Sequence, residues 1–128
     1  MKKTRILIVD DEVGFSTMTK WALESSGDHE VTVLNQSRLA LEVTRELRPD
    51  LILLDICMPG LDGGDVFRLI QDDPQLKFIP ILMMSSLVSQ SDVGENMVAK
   101  VSNMIMLPKH SSVATLKQCI GEHLVGAL

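Results

Sequence analysis

The residues best suited to chemistry in this 128-residue chain are acids, serines and a lysine, each placed directly after a short apolar segment. In chain order these groups are Asp10 with Asp11 and Glu12, Asp55, Ser85 with Ser86, and Lys109. If one edge of the fold gathers them, the carboxylates repel one another and need a counter-charge. Mg²⁺ would provide it, since it typically binds one or two carboxylates together with phosphate oxygens. The residues therefore suggest phosphoryl transfer to or from a carboxylate.

The apolar segments that precede these groups predict the strands of a sheet. Each segment is unbroken apolar or nearly so, which is typical of strands that a parallel sheet buries on both faces. The five segments cover residues 6–9, 31–34, 51–54, 79–84 and 104–107. The carboxyl ends of parallel strands share one edge, where ligands bind in folds of this kind. The polar groups are predicted to meet there.

Amphipathic stretches between the apolar segments predict helices. In the first of them, Phe15, Met18 and Ala22 form an apolar stripe with helical spacing, and Trp21 at its edge is expected to be partly buried. The stretch 91–100 is the weakest helix prediction, because a glycine and an asparagine lower its propensity. Strand and helix alternate five times, which predicts an α/β fold: a (βα)5 doubly wound, five-stranded parallel sheet in a three-layer sandwich.

Length, charge and cysteine content limit the classes of protein that fit. The chain is 45% hydrophobic and is predicted to form one domain over residues 1–128. Its 12 Lys+Arg against 17 Asp+Glu give a net charge of −5, which argues against direct nucleic-acid binding, since that needs a basic surface. No stretch approaches the ~20 apolar residues of a membrane-spanning helix. The widely separated Cys57 and Cys119 suit a reducing compartment, and a cytoplasmic location is expected.

Four motifs in this order resemble the receiver domain of response regulators, the CheY-like, flavodoxin-like domain of two-component signalling. They are Ile-Leu-Ile-Val-Asp-Asp-Glu, Leu-Leu-Asp-Ile-Cys-Met-Pro-Gly-Leu-Asp-Gly, Met-Met-Ser-Ser and Pro-Lys. Each motif alone is weak evidence, whereas the set spans nearly the whole chain. The resemblance implies a phosphorelay receiver that accepts a phosphoryl group and switches a protein-binding surface.

The resemblance assigns the phosphoacceptor and the metal ligands to particular residues. Asp55 would attack a phosphohistidine on a sensor histidine kinase or a phosphotransfer protein. Asp11, Asp55 and the backbone carbonyl of Cys57 would bind Mg²⁺ directly, and Asp10 would bind it through water. Such a receiver is a signalling protein and no enzyme in the usual sense, since it catalyses only its own phosphorylation and slow autodephosphorylation.

The resemblance also assigns residues to the switch and to the lifetime of the signal. Ser85 and Lys109 would contact the phosphoryl group, and Met106 occupies the switch position, where the family usually has Tyr or Phe. Cys57 and Leu87 would flank the hydrolytic water, and neither side chain hydrogen-bonds water well, which predicts slow dephosphorylation. The downstream protein would dock on the face formed by the fourth predicted helix, the fifth predicted strand and the fifth predicted helix.

The chain departs from the family pattern after the last predicted strand. The family usually has Lys-Pro with a cis bond, whereas this chain has Pro108-Lys109-His110. The bond after Lys109 is predicted to be trans, because a cis bond without proline costs about 2.5–4 kcal/mol. Lys109, and not Leu107, is assigned to the lysine position, since a buried group of acids needs a cation.

Alternative functions differ in what they require at these positions. A haloacid-dehalogenase-type phosphatase needs a second aspartate two residues after its nucleophile, where this chain has Cys57. A stand-alone receiver is the preferred interpretation, with its output passing through a separate protein partner or through a further domain of a longer chain. The alternative is a degenerate receiver that binds proteins without being phosphorylated, and incubation with a small phosphodonor separates the two.

Overall fold

The structure is a computed structural model and describes residues 3–86, 99–101 and 104–125. Strands and helices alternate along most of this part of the chain. The strands are β1 Thr4–Val9, β2 His29–Leu34, β3 Leu51–Asp55, β4 Ile81–Ser85, β5 Ala99–Val101 and β6 Met104–Pro108. The helices are α1 Val13–Glu24, α2 Ala40–Leu47, α3 Gly63–Gln71 and α4 Val113–Val125, with a 3₁₀ turn over Ser37–Leu39. The helix α4 corresponds to the fifth helix predicted from the sequence.

The strands form one sheet in the order β2-β1-β3-β4-β6-β5. The pairs β1–β2, β1–β3, β3–β4 and β4–β6 are all parallel, which confirms the predicted five-stranded parallel sheet. One additional strand, β5, pairs antiparallel with β6 at the edge of the sheet. The predicted helix over 91–100 is therefore wrong at its last two residues, which lie in β5, and the rest of it falls outside the described residues.

Alternate residues of the strands point to opposite faces of the sheet and build two apolar cores. Ile6 and Ile8 of β1 pack into one core with α1 and α4, whereas Leu7 and Val9 pack into the other with α2 and α3. Every residue of β3 is buried, as expected for a central strand covered on both sides. The helices thus lie in two layers around the sheet, which confirms the predicted sandwich.

The outer face of α1 differs from the prediction. Met18 and Trp21 are 68% and 65% exposed, so the predicted apolar stripe is wrong at Met18 and the predicted partial burial of Trp21 is wrong, whereas Phe15 packs against the core. The buried side of the helix carries Ser16, Thr19 and Leu23 instead. Among the described helices, none is long and apolar enough to cross a membrane.

Candidate functional site

Four of the predicted site residues meet at the carboxyl edge of the sheet. Asp10 follows β1, Asp55 and Ser85 end β3 and β4, and Lys109 follows β6. The strands β4 and β6 end side by side. Ser85 pairs with Pro108, and the Lys109 backbone N–H donates to the Ser85 carbonyl at 2.9 Å. The parallel sheet alone is enough to gather these side chains.

The ammonium of Lys109 lies at the centre of the site. Its Nζ is 3.2 Å from Asp55 Oδ2, 3.1 Å from Asp10 Oδ2 and 2.5 Å from Glu12 Oε1. The side chains of Lys109, Asp10 and Asp55 are only 2%, 0% and 4% exposed, whereas that of Glu12 is 58% exposed. The described chain has no cis peptide bond, so the Lys109–His110 bond is trans, as predicted. One buried cation therefore offsets part of the negative charge of two buried acids.

Asp10, Asp11 and Asp55 form a cluster that fits a hard cation. Each offers a carboxylate oxygen, and these three oxygens lie within 4.8 Å of one another. Asp10 Oδ1 accepts hydrogen bonds from the Glu12 N–H at 2.9 Å and from Lys109 Nζ at 3.2 Å. Its Oδ2 is buried and makes no hydrogen bond, although the ammonium lies near it. An all-oxygen donor set with one unsatisfied buried oxygen suits Mg²⁺.

The pKa values at the site follow from burial and from the shared ammonium. Burial raises the pKa of Asp10 to about 6, against the opposing hydrogen bonds from Glu12 N–H and Lys109. Burial by itself lowers the pKa of Lys109, but hydrogen bonds to Glu12, Asp10 and Asp55 outweigh it and raise that pKa above its ordinary value. The hydrogen bond from Lys109 holds the pKa of Glu12 below its usual value. The lysine is therefore charged at neutral pH.

The remaining predicted residues lie around this centre or outside the described chain. Cys57 is exposed in the loop after β3, and Ser85 is 2% exposed. Met106 is half-buried in β6, opposite Met83, and packs against the core under α2 and α3. Leu87 lies outside the described residues, so its predicted place beside the hydrolytic water stays a prediction.

Two residues of the site had no individual role assigned from the sequence. Glu12 binds Lys109, and the ring of Phe15 lies 4.9 Å from Lys109 Nζ. The edge of His110 meets the same ring at a centroid distance of 5.6 Å. The position of Glu12 directly after an acidic pair was the one sequence signal for it. Nothing in the spacing of Phe15 pointed to the lysine.

Access to the cluster is open on the side of Asp11. A groove of about 330 Å³ runs along this exposed acid and is lined by polar residues of the loop after β2, including Asn35 and Arg38, and by Pro59 and Gly60 of the loop after β3. The Ser37 hydroxyl donates to the Pro59 carbonyl at 3.2 Å and ties the two loops together. The groove therefore borders the exposed acid of the cluster.

Comparison with known proteins places these features in one family. Residues 6–121 match the model of the response regulator receiver domain. The DNA-binding response regulator MtrA of Mycobacterium tuberculosis is 35% identical over 106 residues, which are 83% of this chain and 45% of the relative. This chain thus spans about half the length of those curated relatives.

Solved structures of similar shape come from signalling proteins. The signal receiver domain of a signal transduction histidine kinase from Syntrophus aciditrophicus is 28% identical, with a TM-score of 0.77 over 96% of this chain and 91% of that one. The chemotaxis protein CheY4 of Vibrio cholerae is 26% identical, with a TM-score of 0.77 over 94% of this chain and 98% of that one.

Proposed function

The chain belongs to the response regulator receiver domain family, and from this premise we propose that Asp55 accepts a phosphoryl group from a phosphohistidine, with Mg²⁺ bound at the acid cluster. The donor would be a sensor histidine kinase or a phosphotransfer protein. The phosphorylated domain would then signal through contacts with another protein.

The placement of Asp55 is the observation that carries the proposal. Its carboxylate ends the central strand β3, is 4% exposed, belongs to the acid cluster that fits a cation, and lies 3.2 Å from the ammonium of Lys109. With Mg²⁺ in that cluster, the carboxylate would lie between two positive charges and be suited to receive an anion, since transfer of a phosphoryl group depends chiefly on positioning and charge neutralisation.

The proposed step forms an acyl phosphate on Asp55. A carboxylate oxygen attacks the phosphorus of the phosphohistidine, a P–O bond forms as the P–N bond breaks, and the electron pair remains on the imidazole nitrogen. Mg²⁺ at the cluster would neutralise negative charge on the phosphoryl oxygens. Lys109, 3.2 Å from Asp55 Oδ2, supplies a second positive charge from the chain itself.

The switch would use groups that already meet at the ends of β4 and β6. A new acyl phosphate carries about −1.5 to −2 charges and three acceptor oxygens, which attract the Ser85 hydroxyl and the Lys109 ammonium. The backbone hydrogen bond between Ser85 and Lys109 couples the two strand ends. Movement there would be transmitted along β6 to Met106, which occupies the position of the usual aromatic residue and whose flexible side chain can fill the same gap.

The output surface is proposed to bind a protein. By resemblance it includes β6 and α4, and its remaining part falls outside the described residues. The MtrA relatives are named DNA-binding, but they are about twice as long as the matched region. The acidic net charge of −5 favours protein contacts for this chain, and we place the domain in the cytoplasm with its kinase.

Intact-mass measurement after incubation with Mg²⁺ and a small phosphodonor tests the proposal. The wild type should gain the mass of one phosphoryl group, and Asp55→Asn should gain none. Asp28→Asn, which changes an exposed acid at the opposite edge of the sheet, serves as the matched control and should behave as the wild type. A folded wild type that gains no mass would instead indicate a phosphorylation-independent binding module.

A further inference from the structure

Glu12 is an exposed acid whose backbone is fixed from both sides. Its N–H donates to Asp10 Oδ1 at 2.9 Å, and its carbonyl accepts from the Ser16 N–H at 3.0 Å and the Ser16 hydroxyl at 2.9 Å. Glu12 thereby forms the N-cap of α1 in an extended conformation. Since the backbone is held in this way, the side chain projects from a defined point at the rim of the site.

That side chain binds the one buried cation of the described site. Glu12 Oε1 lies 2.5 Å from Lys109 Nζ, closer than any oxygen of Asp10 or Asp55. The ring of Phe15, in the first turn of α1, lies 4.9 Å from the same ammonium. The start of α1 thus provides two of the groups that surround Lys109.

Glu12 differs from the other two acids in what else it can bind. Asp10 and Asp55 belong to the cluster whose oxygens lie within 4.8 Å of one another, together with Asp11, and Glu12 does not. A divalent cation in that cluster and the ammonium of Lys109 therefore compete for the same two carboxylates. Among the three acids, only Glu12 has a carboxylate that binds the ammonium and is not a candidate metal ligand.

We propose that Glu12 is a positioning residue, which draws the Lys109 ammonium toward the rim and so sets how strongly it competes with Mg²⁺ for Asp10 and Asp55. The inference rests on the proposed function, because it concerns the metal and the lysine that phosphoryl transfer would use. Without the Glu12 charge, the ammonium is held by Asp10 and Asp55 alone, and the cluster has less charge left for a metal.

Calorimetric titration with Mg²⁺ across a double-mutant cycle tests this role. Glu12→Gln should weaken Mg²⁺ binding by roughly 10-fold, the lower end of the range typical of groups that act on a metal site through its ligands. In a Lys109→Ala background the same substitution should change the affinity by less than about twofold, since the ammonium through which Glu12 acts is gone. Glu46→Gln, an exposed acid in the last turn of α2, controls for the loss of one negative charge and should bind Mg²⁺ as the wild type does.

A second measurement needs neither metal nor a change at Lys109. In metal-free protein labelled with ¹⁵N-lysine, the hydrogen bond to Glu12 should slow exchange of the Lys109 ammonium protons with water. Glu12→Gln should accelerate that exchange several-fold, and Glu46→Gln should leave it unchanged. This readout also covers the case in which Lys109→Ala fails to fold.

Each outcome separates the positioning role from the proposed function. Equal Mg²⁺ affinity in Glu12→Gln and wild type, an equal loss in both backgrounds, or unchanged ammonium exchange would overturn the role of Glu12. Neither measurement involves phosphorylation. If the cycle shows the expected coupling but the wild type takes up no phosphoryl group, the positioning role stands and the proposed function fails.

Discussion

The buried carboxylate of Asp10 lowers the stability of the metal-free protein at neutral pH. Burial raises its pKa from 3.8 to about 6. The native state therefore binds more protons than the unfolded state between about pH 4 and pH 6, and the free energy of unfolding falls as the pH rises through that window. Above about pH 6, the folded protein bears the whole free-energy cost of ionising the buried Asp10 carboxyl group.

The size of this cost follows from the shift. Raising the pKa from 3.8 to about 6 corresponds to on the order of 3 kcal/mol, because one unit is worth about 1.4 kcal/mol. Asp10→Asn keeps the shape and removes the charge, although Lys109 then loses one of its three carboxylate partners. The variant should be more stable than the wild type at pH 7.5 by on the order of 1–3 kcal/mol.

Urea denaturation followed by far-UV circular dichroism checks this value, with a chelator present to remove metal. Trp21 is 65% exposed, which makes fluorescence a poor probe of unfolding. At pH 4 the wild type and Asp10→Asn should be nearly equal, because Asp10 is then protonated when folded. An Asn variant less stable than the wild type at pH 7.5 would show that the contact with Lys109 outweighs burial and would refute the reasoning.

Four further variants test other parts of the chain. A Cβ at Gly63 would lie 2.5 Å from the backbone oxygen of the last residue of β3, so Gly63→Ala should cost about 1–3 kcal/mol of unfolding free energy in denaturation experiments. Gly14→Ala in α1, with nothing within 4 Å, should be neutral or gain up to about 1 kcal/mol. Asp11→Ala should weaken Mg²⁺ binding strongly, and an unchanged calorimetric affinity would exclude a direct ligand. Cys57→Asn combined with Leu87→Glu should shorten the phosphorylated lifetime about tenfold, since polar side chains can orient water, and equal decay after donor removal would contradict this.

The strands were predictable because a parallel sheet buries them on both faces. Such burial requires nearly unbroken apolar segments, and these segments stand out in the sequence. The buried face of α1 was not predictable in the same way. Ser16 and Thr19 satisfy their hydroxyls on backbone carbonyls of the preceding turn, at 2.9 and 2.8 Å, so they can face the core at little cost. Met18 and Trp21 are exposed as a result, and the spacing of apolar residues in the sequence does not predict this.

Strand β5 shows a second limit of local patterns. Ala99–Val101 gains its backbone hydrogen bonds from β6, a partner that helix propensity does not take into account. At the site, the strand ends fixed which residues meet, so the gathering of Asp10, Asp55, Ser85 and Lys109 followed from the sequence. The contact between Glu12 and Lys109 depends on side-chain length and direction across a loop, which residue spacing does not encode.

The most direct test of the account is to locate the phosphoryl group. The protein is incubated with Mg²⁺ and a small phosphodonor and then treated with borohydride, which reduces an acyl phosphate to an alcohol but leaves free carboxylates intact. Tandem mass spectrometry of the peptides identifies the reduced residue. Reduction is expected at Asp55 alone. Reduction at Asp10 or Asp11, or a protein that remains unmodified, would contradict it.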